Sequence, residues 1–357
     1  MKIICYYLPQ FHEIEENNKW WGKGFTEWDN VKKGKKLFKE HIQPFIPLEN
    51  NYYDLTDKNT VIWQTKLARQ YGIYGFCYYH YWFKGKKILE KPAEHLINWK
   101  DIPQNFCFCW ANHSWKKTWN GINETLIEQT YGDIDDWEKH FDYLLNFFKD
   151  SRYIKIDNKP IFMIFNPRDI EMLDEMIQYF EARCKEEGFS GIYIIESKNK
   201  IMNSNELISK KSSAAVIREP ACSLEKRNIV EKILQRIKSK FRKNYLYFVQ
   251  KYKYQDFVKY SVEISNVYSS KNVFPGIFTG WDNTPRHGRR GYVIHGSTPE
   301  LFKEYLLQQK KIMREKNIDY IFLNAWNEWA EGMFLEPDEK YKYEYLEAIK
   351  EVITKEI

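Results

Sequence analysis

Several signatures are missing from this sequence, and each omission removes a class of function. No G-x-G-x-x-G fingerprint and no Walker A loop occurs, so neither a dinucleotide-binding nor a P-loop nucleotide domain is expected. No H-E-x-x-H pair is present, and the six cysteines (Cys5, Cys77, Cys107, Cys109, Cys184, Cys222) show neither paired zinc spacing nor a dense disulfide pattern. They read as buried free thiols, and neither a metal nor another cofactor is expected. No stretch is apolar for long enough to span a bilayer, and KIICYYLP follows Met1 without a basic leader or small-residue cleavage site; a cytoplasmic location is the expectation. Lysine and arginine form no long run, and the net charge is only +6 over 357 residues, so nucleic acid is not an expected partner.

What the sequence has in excess is aromatic residues: 13 Trp, 26 Tyr and 23 Phe, 17% of the chain. Flat rings stack on the apolar faces of sugars or of bases, so this density suggests such a ligand without separating the two. The competing reading of most of these rings is simply a core rich in aromatics.

Short apolar runs recur along the chain at 2–9 (KIICYYLP), 74–82, 105–115, 160–167, 191–197, 214–220, 272–283 and 319–329. These read as strands. Between them, helical periodicity appears at Thr60 to Tyr71, Pro92 to Trp99, Asp135 to Lys149, Ile170 to Glu187 and Pro299 to Lys316. Asp135 is the expected cap of the third helix, Gly188 the stop of the fourth, and Thr298-Pro299 the start of the last. Strand and helix alternating about eight times predict a single α/β domain over 1–357: a (β/α)8 TIM barrel with long βα loops and a helical insertion between strands 6 and 7, at about 224–270. Each apolar run ends in a burst of polar and aromatic residues, as in YYLPQFH, YYHYW, CWANHSW, REP and GWDN. Barrel enzymes collect their active sites at the C-terminal strand ends.

The sharpest motif is NAWNEWAEG at 324–332, where Glu328 and Glu331 stand three apart beside Trp326 and Trp329. Residues three apart on an extended strand point to opposite faces, so both carboxyls reach one cavity only if the chain bends; Ala330 and Gly332 permit that. Two carboxyls in one pocket repel, and the one with the raised pKa can serve as an acid while its neighbour serves as a base, the equipment of glycoside chemistry. The bland alternative is an acidic helix start or a surface ion pair.

Other candidates are weighed the same way. Gln10, His12, Trp21, Glu27 and Trp28 follow the first strand in a long loop that suits a pocket wall, or a surface loop with its own aromatic core. His80, Trp82, Trp110 and Asn112 sit near strand ends as sugar contacts or as structural groups. The stretch 280–291, GWDNTPRHGRRG, offers Trp281, Asp282, Asn283 and Arg286; clustered arginines suit an anionic ligand, or simply a solvated basic loop. Asp133-Ile134-Asp135 matches a D-x-D metal-nucleotide pattern and equally a helix start. From Glu225 to Tyr254 the chain is basic with interleaved apolar residues, a pattern for peripheral contact with an anionic membrane that presents a lipid-linked glycan, or for a helix face packed on the barrel.

YYLPQFH, WWGKGFTEW, YGFCYYHYWF, FCWAN, GWDN, HGSTPELF and NAWNEWAEG…LEP, in this order, resemble the WbsX family of bacterial surface-polysaccharide proteins, which is similar to glycoside hydrolase family 99. The resemblance runs from about 2 to about 350 and omits about 224–270. It implies a (β/α)8 fold and a retaining reaction on α-mannosidic linkages. Through Asn327, Glu328, Trp329, Glu331 and Gly332 it implies that Glu328 is a base toward the sugar 2-OH and that Glu331 is an acid, then a base. Where the pattern expects ENW after FCWAN, this chain has His113-Ser114-Trp115, so an acidic contact is replaced. The resemblance also carries a glycosyltransferase role in O-antigen or capsule lipopolysaccharide biosynthesis; a transglycosylase would reconcile the two. The remaining alternatives are a nucleotide-sugar glycosyltransferase and a catalytically silent glycan-binding barrel, and the substrate is in every case an oligosaccharide or polysaccharide.

Overall fold

The computed structural model describes residues 1–119, 122–200, 207–226 and 248–355. Eight parallel strands form the centre: Lys2–Tyr7, Ile73–Phe83, Phe106–Trp110, Lys159–Ile164, Tyr193–Lys198, Ala214–Ile217, a seventh in two segments, Val273–Phe274 and Gly276–Phe278, and Tyr320–Asn324. Each pairs with the next. The seventh strand closes the ring because its first segment pairs with the sixth strand (Ala215 opposite Val273) and its second pairs with the eighth (Gly276 opposite Phe322). Pro275, which has no N–H to give a ladder, separates the two segments. The eighth strand pairs back onto the first, with Ile3 opposite Ile321.

Helices Lys58–Gln70, Lys91–Asn98, Ile134–Phe148, Leu173–Glu186, Tyr254–Tyr268, Pro299–Glu315 and Glu344–Thr354 cover the outside. Asp57 caps the first through Asn59 N–H at 2.9 Å, and Thr298 caps the sixth through Leu301 N–H at 3.3 Å. The cap of the third helix is Asp133, whose carboxylate accepts from Asp136 N–H at 3.4 Å; it lies two residues before the expected Asp135. This accounts for the D-x-D pattern as a helix start. Gly188 follows the fourth helix with a φ of +86°, the left-handed stop that its type allows.

Of the stretch 224–270, residues 227–247 lie outside the described residues, including most of the segment expected to meet a membrane. What is described includes the ordinary crossover helix between strands six and seven, Tyr254–Tyr268. Gln250–Lys253 runs parallel to Tyr292–His295, which pairs antiparallel with Trp281–Asp282, a small sheet at the barrel mouth. No helix among the described residues is long and apolar enough to cross a membrane. All six cysteines are buried and free.

Strand alternation sorts the core into two faces. Tyr6 and Tyr79 point inward and stack with ring centres 5.7 Å apart, and the Tyr6 hydroxyl reaches Met163 Sδ at 3.2 Å. Tyr7 and Tyr78, one residue away on each strand, point outward, where the Tyr7 hydroxyl donates to Gln64 on the first helix at 2.7 Å. Both faces are buried, so both are apolar.

Candidate active site

The eighth strand stops at Asn324, and the chain turns into a short hairpin: Asn327–Glu328 pairs antiparallel with Met333–Phe334 across one 3-10 turn, Trp329–Glu331. This is the expected bend. Gly332 completes it at φ +64°, and a Cβ there would lie 2.9 Å from the Asp282 backbone nitrogen, so only glycine fits.

Three side chains lock the hairpin in place. Asn327, wholly buried, accepts from Leu8 N–H at 2.7 Å and donates to Leu8 C=O at 3.0 Å, tying the hairpin to the end of the first strand. Trp329 donates from Nε1 to Glu336 at 2.7 Å and stacks on Phe334 at 3.8 Å. Glu336 also accepts from the Tyr53 hydroxyl at 2.6 Å and from Gln64 at 2.7 Å. Burial, against these bonds, pushes its pKa up to about 7.

Two further turns close on the hairpin, one from each long loop, and the three pack on one another: Glu27–Lys32, Thr284–His287 and Trp329–Glu331. In the first, Asp29 accepts from Thr26 N–H at 2.9 Å, the reach-back of a capping box, which puts Glu27 at the first helical position. In the second, Pro285 occupies the first turn and Arg286 follows.

Arg286 joins the three turns. Its Nε and Nη2 donate to Glu27 Oε1 at 2.9 and 2.7 Å, and its Nη1 donates to Glu331 Oε1 at 2.5 Å. Glu27 is 2% exposed and Glu331 22%, so the pair runs from the protein interior to the open mouth. Burial works against the guanidinium charge, yet Glu27, Glu331 and Glu328 more than offset it and hold Arg286 firmly protonated. For Glu328, burial comes first and the charge of Glu331 next; Arg286 opposes, Glu27 adds, and the net effect is a pKa well above the usual carboxylate range. Tyr79 and Tyr81 of the second strand line the same space: each has its pKa raised by burial and further by Glu328, and Gln10 Nε2 donates to the Tyr81 hydroxyl at 3.4 Å.

Of the residues singled out in the sequence, Gln10, Glu27, Arg286, Glu328 and Glu331 therefore converge. The others take different places. His80 and Trp82 stand on the outward face of the second strand, where His80 meets His140 at 2.9 Å and Trp82 stacks on the same imidazole at 4.6 Å. Trp110 packs there too, 5.0 Å from His140. Burial lowers the His80 pKa to about 3, and this neutral pair is core structure. The inward residues that alternate with them, Tyr79 and Tyr81, are the ones the sequence reading missed; parity separates the two sets but does not say which one turns inward.

Asn112 clamps two strand ends as Asn327 does, exchanging bonds with Asn166 N–H at 2.7 Å and Asn166 C=O at 2.8 Å. Trp28 is buried, its Nε1 on Tyr53 C=O at 2.8 Å. His12 is buried with neither ring nitrogen bonded, its pKa lowered to about 4 by burial. Trp21, half-buried, packs at a tilt against Phe25 with ring centres 5.9 Å apart. Asp282 is spent on His41 at 2.7 Å, Gln43 at 2.6 Å and Thr284, and Asn283 accepts from Tyr292 N–H at 2.9 Å. Trp281 stacks on Tyr292 at 5.2 Å and lines a separate pocket behind the hairpin with Phe45, Phe334 and Tyr345. Most of GWDNTPRHGRRG therefore builds the loop that delivers Arg286.

The chain matches the family described as Glycosyltransferase WbsX over residues 3–349, and it belongs to that family. Two curated relatives, each named Uncharacterized protein WxcX, come from two strains of Xanthomonas campestris pv. campestris and are 30% identical over 361 and 387 residues, 99% of this chain in each case. The chain spans half the length of these relatives, 50% of each. Among solved structures, the GH99 endo-alpha-mannosidase from Bacteroides thetaiotaomicron is similar with a TM-score of 0.58 at 13% identity, covering 98% of this chain and 96% of that one. A glycoside hydrolase-like protein is similar at TM-score 0.62 and 12% identity, covering 99% and 94%. Those likenesses show the TIM-barrel fold.

Proposed function

We propose that this chain is a carbohydrate-active enzyme that cleaves or transfers α-linked glycosyl units of a bacterial surface polysaccharide with retention of configuration. The family description and the shared fold agree on carbohydrate chemistry. The observation that carries the reading is the carboxyl pair Glu328 and Glu331 on one hairpin at the barrel mouth, with a guanidinium anchored beside it. Nothing else in the mouth, among the described residues, combines two carboxyls with a fixed cation.

In the proposed reaction, Glu328 removes the proton from the sugar 2-OH. O2 then attacks C1 from the face opposite the leaving oxygen, the C1–O bond breaks, and Glu331 protonates the departing glycan oxygen. Glu331, now ionised, takes a proton from water or an acceptor hydroxyl, which opens the 1,2-anhydro ring at C1 while Glu328 returns its proton to O2. In this scheme the pair shares one proton: Glu328, its pKa raised by burial and by Glu331, holds it at rest while Glu331 is ionised on Arg286, and the proton passes to Glu331 when the glycan binds, leaving Glu328 as the base. Arg286 keeps two bonds to Glu27 when Glu331 turns away, so Glu331 can leave the guanidinium, receive the proton that Glu328 gives up and pass it to the leaving oxygen without setting the cation adrift.

Replacing Glu331 with Gln in this scheme abolishes turnover of the native polysaccharide and leaves glycan binding largely intact. Retained turnover refutes the scheme, and a trapped glycosyl adduct on Glu328 refutes the role given to that residue.

The family description favours one second reading, a nucleotide-sugar glycosyltransferase with GWDNTPRHGRRG on the donor diphosphate. Arg286 is already engaged by two carboxylates, and Asp282 and Asn283 by their own loop, which weighs against it. Calorimetry against nucleotide sugars, with and without divalent metal, separates the two: absence of binding removes the donor reading. An O-antigen or capsule substrate, a lipid-linked form of it, peripheral membrane contact and a cytoplasmic location belong to the proposal as well.

A further inference from the structure

The mouth holds a second cation two strands away from the carboxyl pair. Arg218 follows the sixth strand, and its guanidinium carbon sits 3.8 Å from the centre of the Phe165 ring. Among the described residues no carboxylate pairs with it and no acceptor meets it; its Nη1 is buried with no hydrogen-bond partner. A guanidinium without an anion, held flat against a ring at a strand end, is costly to keep unless something supplies the missing acceptors.

The rings between the carboxyl pair and this cation make a continuous floor. Tyr79, which feels Glu328, meets Phe165 edge-on at 6.0 Å, and Phe165 carries Arg218 on its face and His113 at 5.6 Å. Arg218 acts on Tyr79 with the opposite sign, favouring its ionised form while Glu328 disfavours it. Tyr79 and Phe165 are half-buried and so present surface to the mouth. Three glutamates surround one arginine at the hairpin, whereas Arg218 has no carboxylate partner among the described residues. Three acids near it form no ion pair with it among the described residues: Asp169 is close enough to act on His113, as Arg218 is, but no salt bridge joins Asp169 to Arg218. Glu196 accepts from Ile208 N–H and Ser209 N–H at 2.7 and 2.8 Å, and Glu219 turns to Ser223 N–H at 3.0 Å.

We propose that Arg218, stacked on Phe165 beside His113, is the subsite for an anionic substituent of the glycan, a carboxylate or a phosphate on a sugar neighbouring the one that reacts. The inference rests on the carbohydrate reading above and adds substrate class and direction to it. An anion placed at the hairpin would face Glu27, Glu328 and Glu331, so the charge pattern sets which end of the glycan lies over the sixth strand. The planar fork of Arg218 matches a carboxylate or phosphate, and its face stays on the ring while its edge binds.

The test uses the full chain carrying Glu331→Gln, so that ligand is held without turnover, and three forms of the surface polysaccharide of the organism that encodes it: native, carboxyl-reduced and dephosphorylated. Calorimetry should show the native form binding about tenfold or more tightly than one of the treated forms, the loss expected for a charge-assisted bond; the treatment that removes the preference names the anion. Adding Arg218→Met should abolish the preference and leave the treated form's affinity unchanged. Arg218→Lys, which keeps charge but not the fork, should retain part of it. In the protein with Arg218 intact, raising salt should weaken native binding and spare the treated form. Equal binding of all three forms, or an Arg218→Met loss that is the same for all three, overturns this inference and leaves the carbohydrate reading standing. Absence of binding to any form counts against both.

Discussion

Asn327 is the point at which the hairpin is most easily broken, and Asn327→Asp is the sharpest way to do it. The side chain is 0% exposed and bonded at both ends to Leu8, accepting at 2.7 Å and donating at 3.0 Å. The substitution preserves shape. An ionised carboxylate has only acceptors, so one of its oxygens would face the Leu8 carbonyl with no proton between them. A protonated carboxyl, by contrast, has one O–H to donate and one C=O to accept, and reproduces both bonds. The folded variant therefore binds its proton more tightly than the unfolded chain, where aspartate titrates near 3.9. A folded-state pKa raised in this way leaves stability whole below about pH 4 and removes it as pH rises. Holding the proton costs about 1.4 kcal/mol per unit, which caps the loss near 4 kcal/mol at about pH 7 and leaves less than about 1 kcal/mol at about pH 4.5. Denaturant melts of the variant and the unsubstituted protein at those two values measure the difference. An equal loss at both, or none at either, shows that the amide is not the clamp described.

Other residues give shorter tests. Burial pushes the Glu219 pKa up to about 8, so the protein should lose stability as pH climbs from about 4.5 through 8, and Glu219→Gln should remove roughly 3 kcal/mol of that loss by about pH 7, read from paired melts. Gly332→Ala brings a Cβ to 2.9 Å from a backbone nitrogen at φ +64°; turnover of the native polysaccharide should fall tenfold or more, by the roughly hundredfold sensitivity of such sites to small displacements. Arg286→Met leaves Glu27, 2% exposed, without its cation and should destabilise by about 3 kcal/mol; adding Glu27→Gln should recover most of the stability in melts and none of the activity.

The strands were legible because each is a short apolar run, and the helix before the eighth strand because Thr298 and Pro299 mark its start. The bend at Glu328 followed from parity alone: two carboxyls three apart cannot share a cavity on a straight strand. That same parity failed at YYHYW. In a barrel both faces of a strand are buried and apolar, so composition does not say whether His80 and Trp82 or Tyr79 and Tyr81 turn inward. Nor does a polar residue at a strand end announce its task. Asn112 and Asn327 look like ligand contacts in the sequence, yet both satisfy backbone groups that the ends of the strands leave open. Arg286 and Glu27 lie 259 residues apart, and their pairing depends on two loop turns meeting, which no local pattern encodes.

The central claim is that Glu328 and Glu331 carry out retaining chemistry on an α-linked glycan. Proton NMR of the first-formed products from the native polysaccharide measures this directly. The account predicts that the α-configured anomer appears first, without added nucleotide sugar, and that no product forms with Glu331→Gln. A β-configured first product, or product formation that persists in the Glu331→Gln protein, would contradict it.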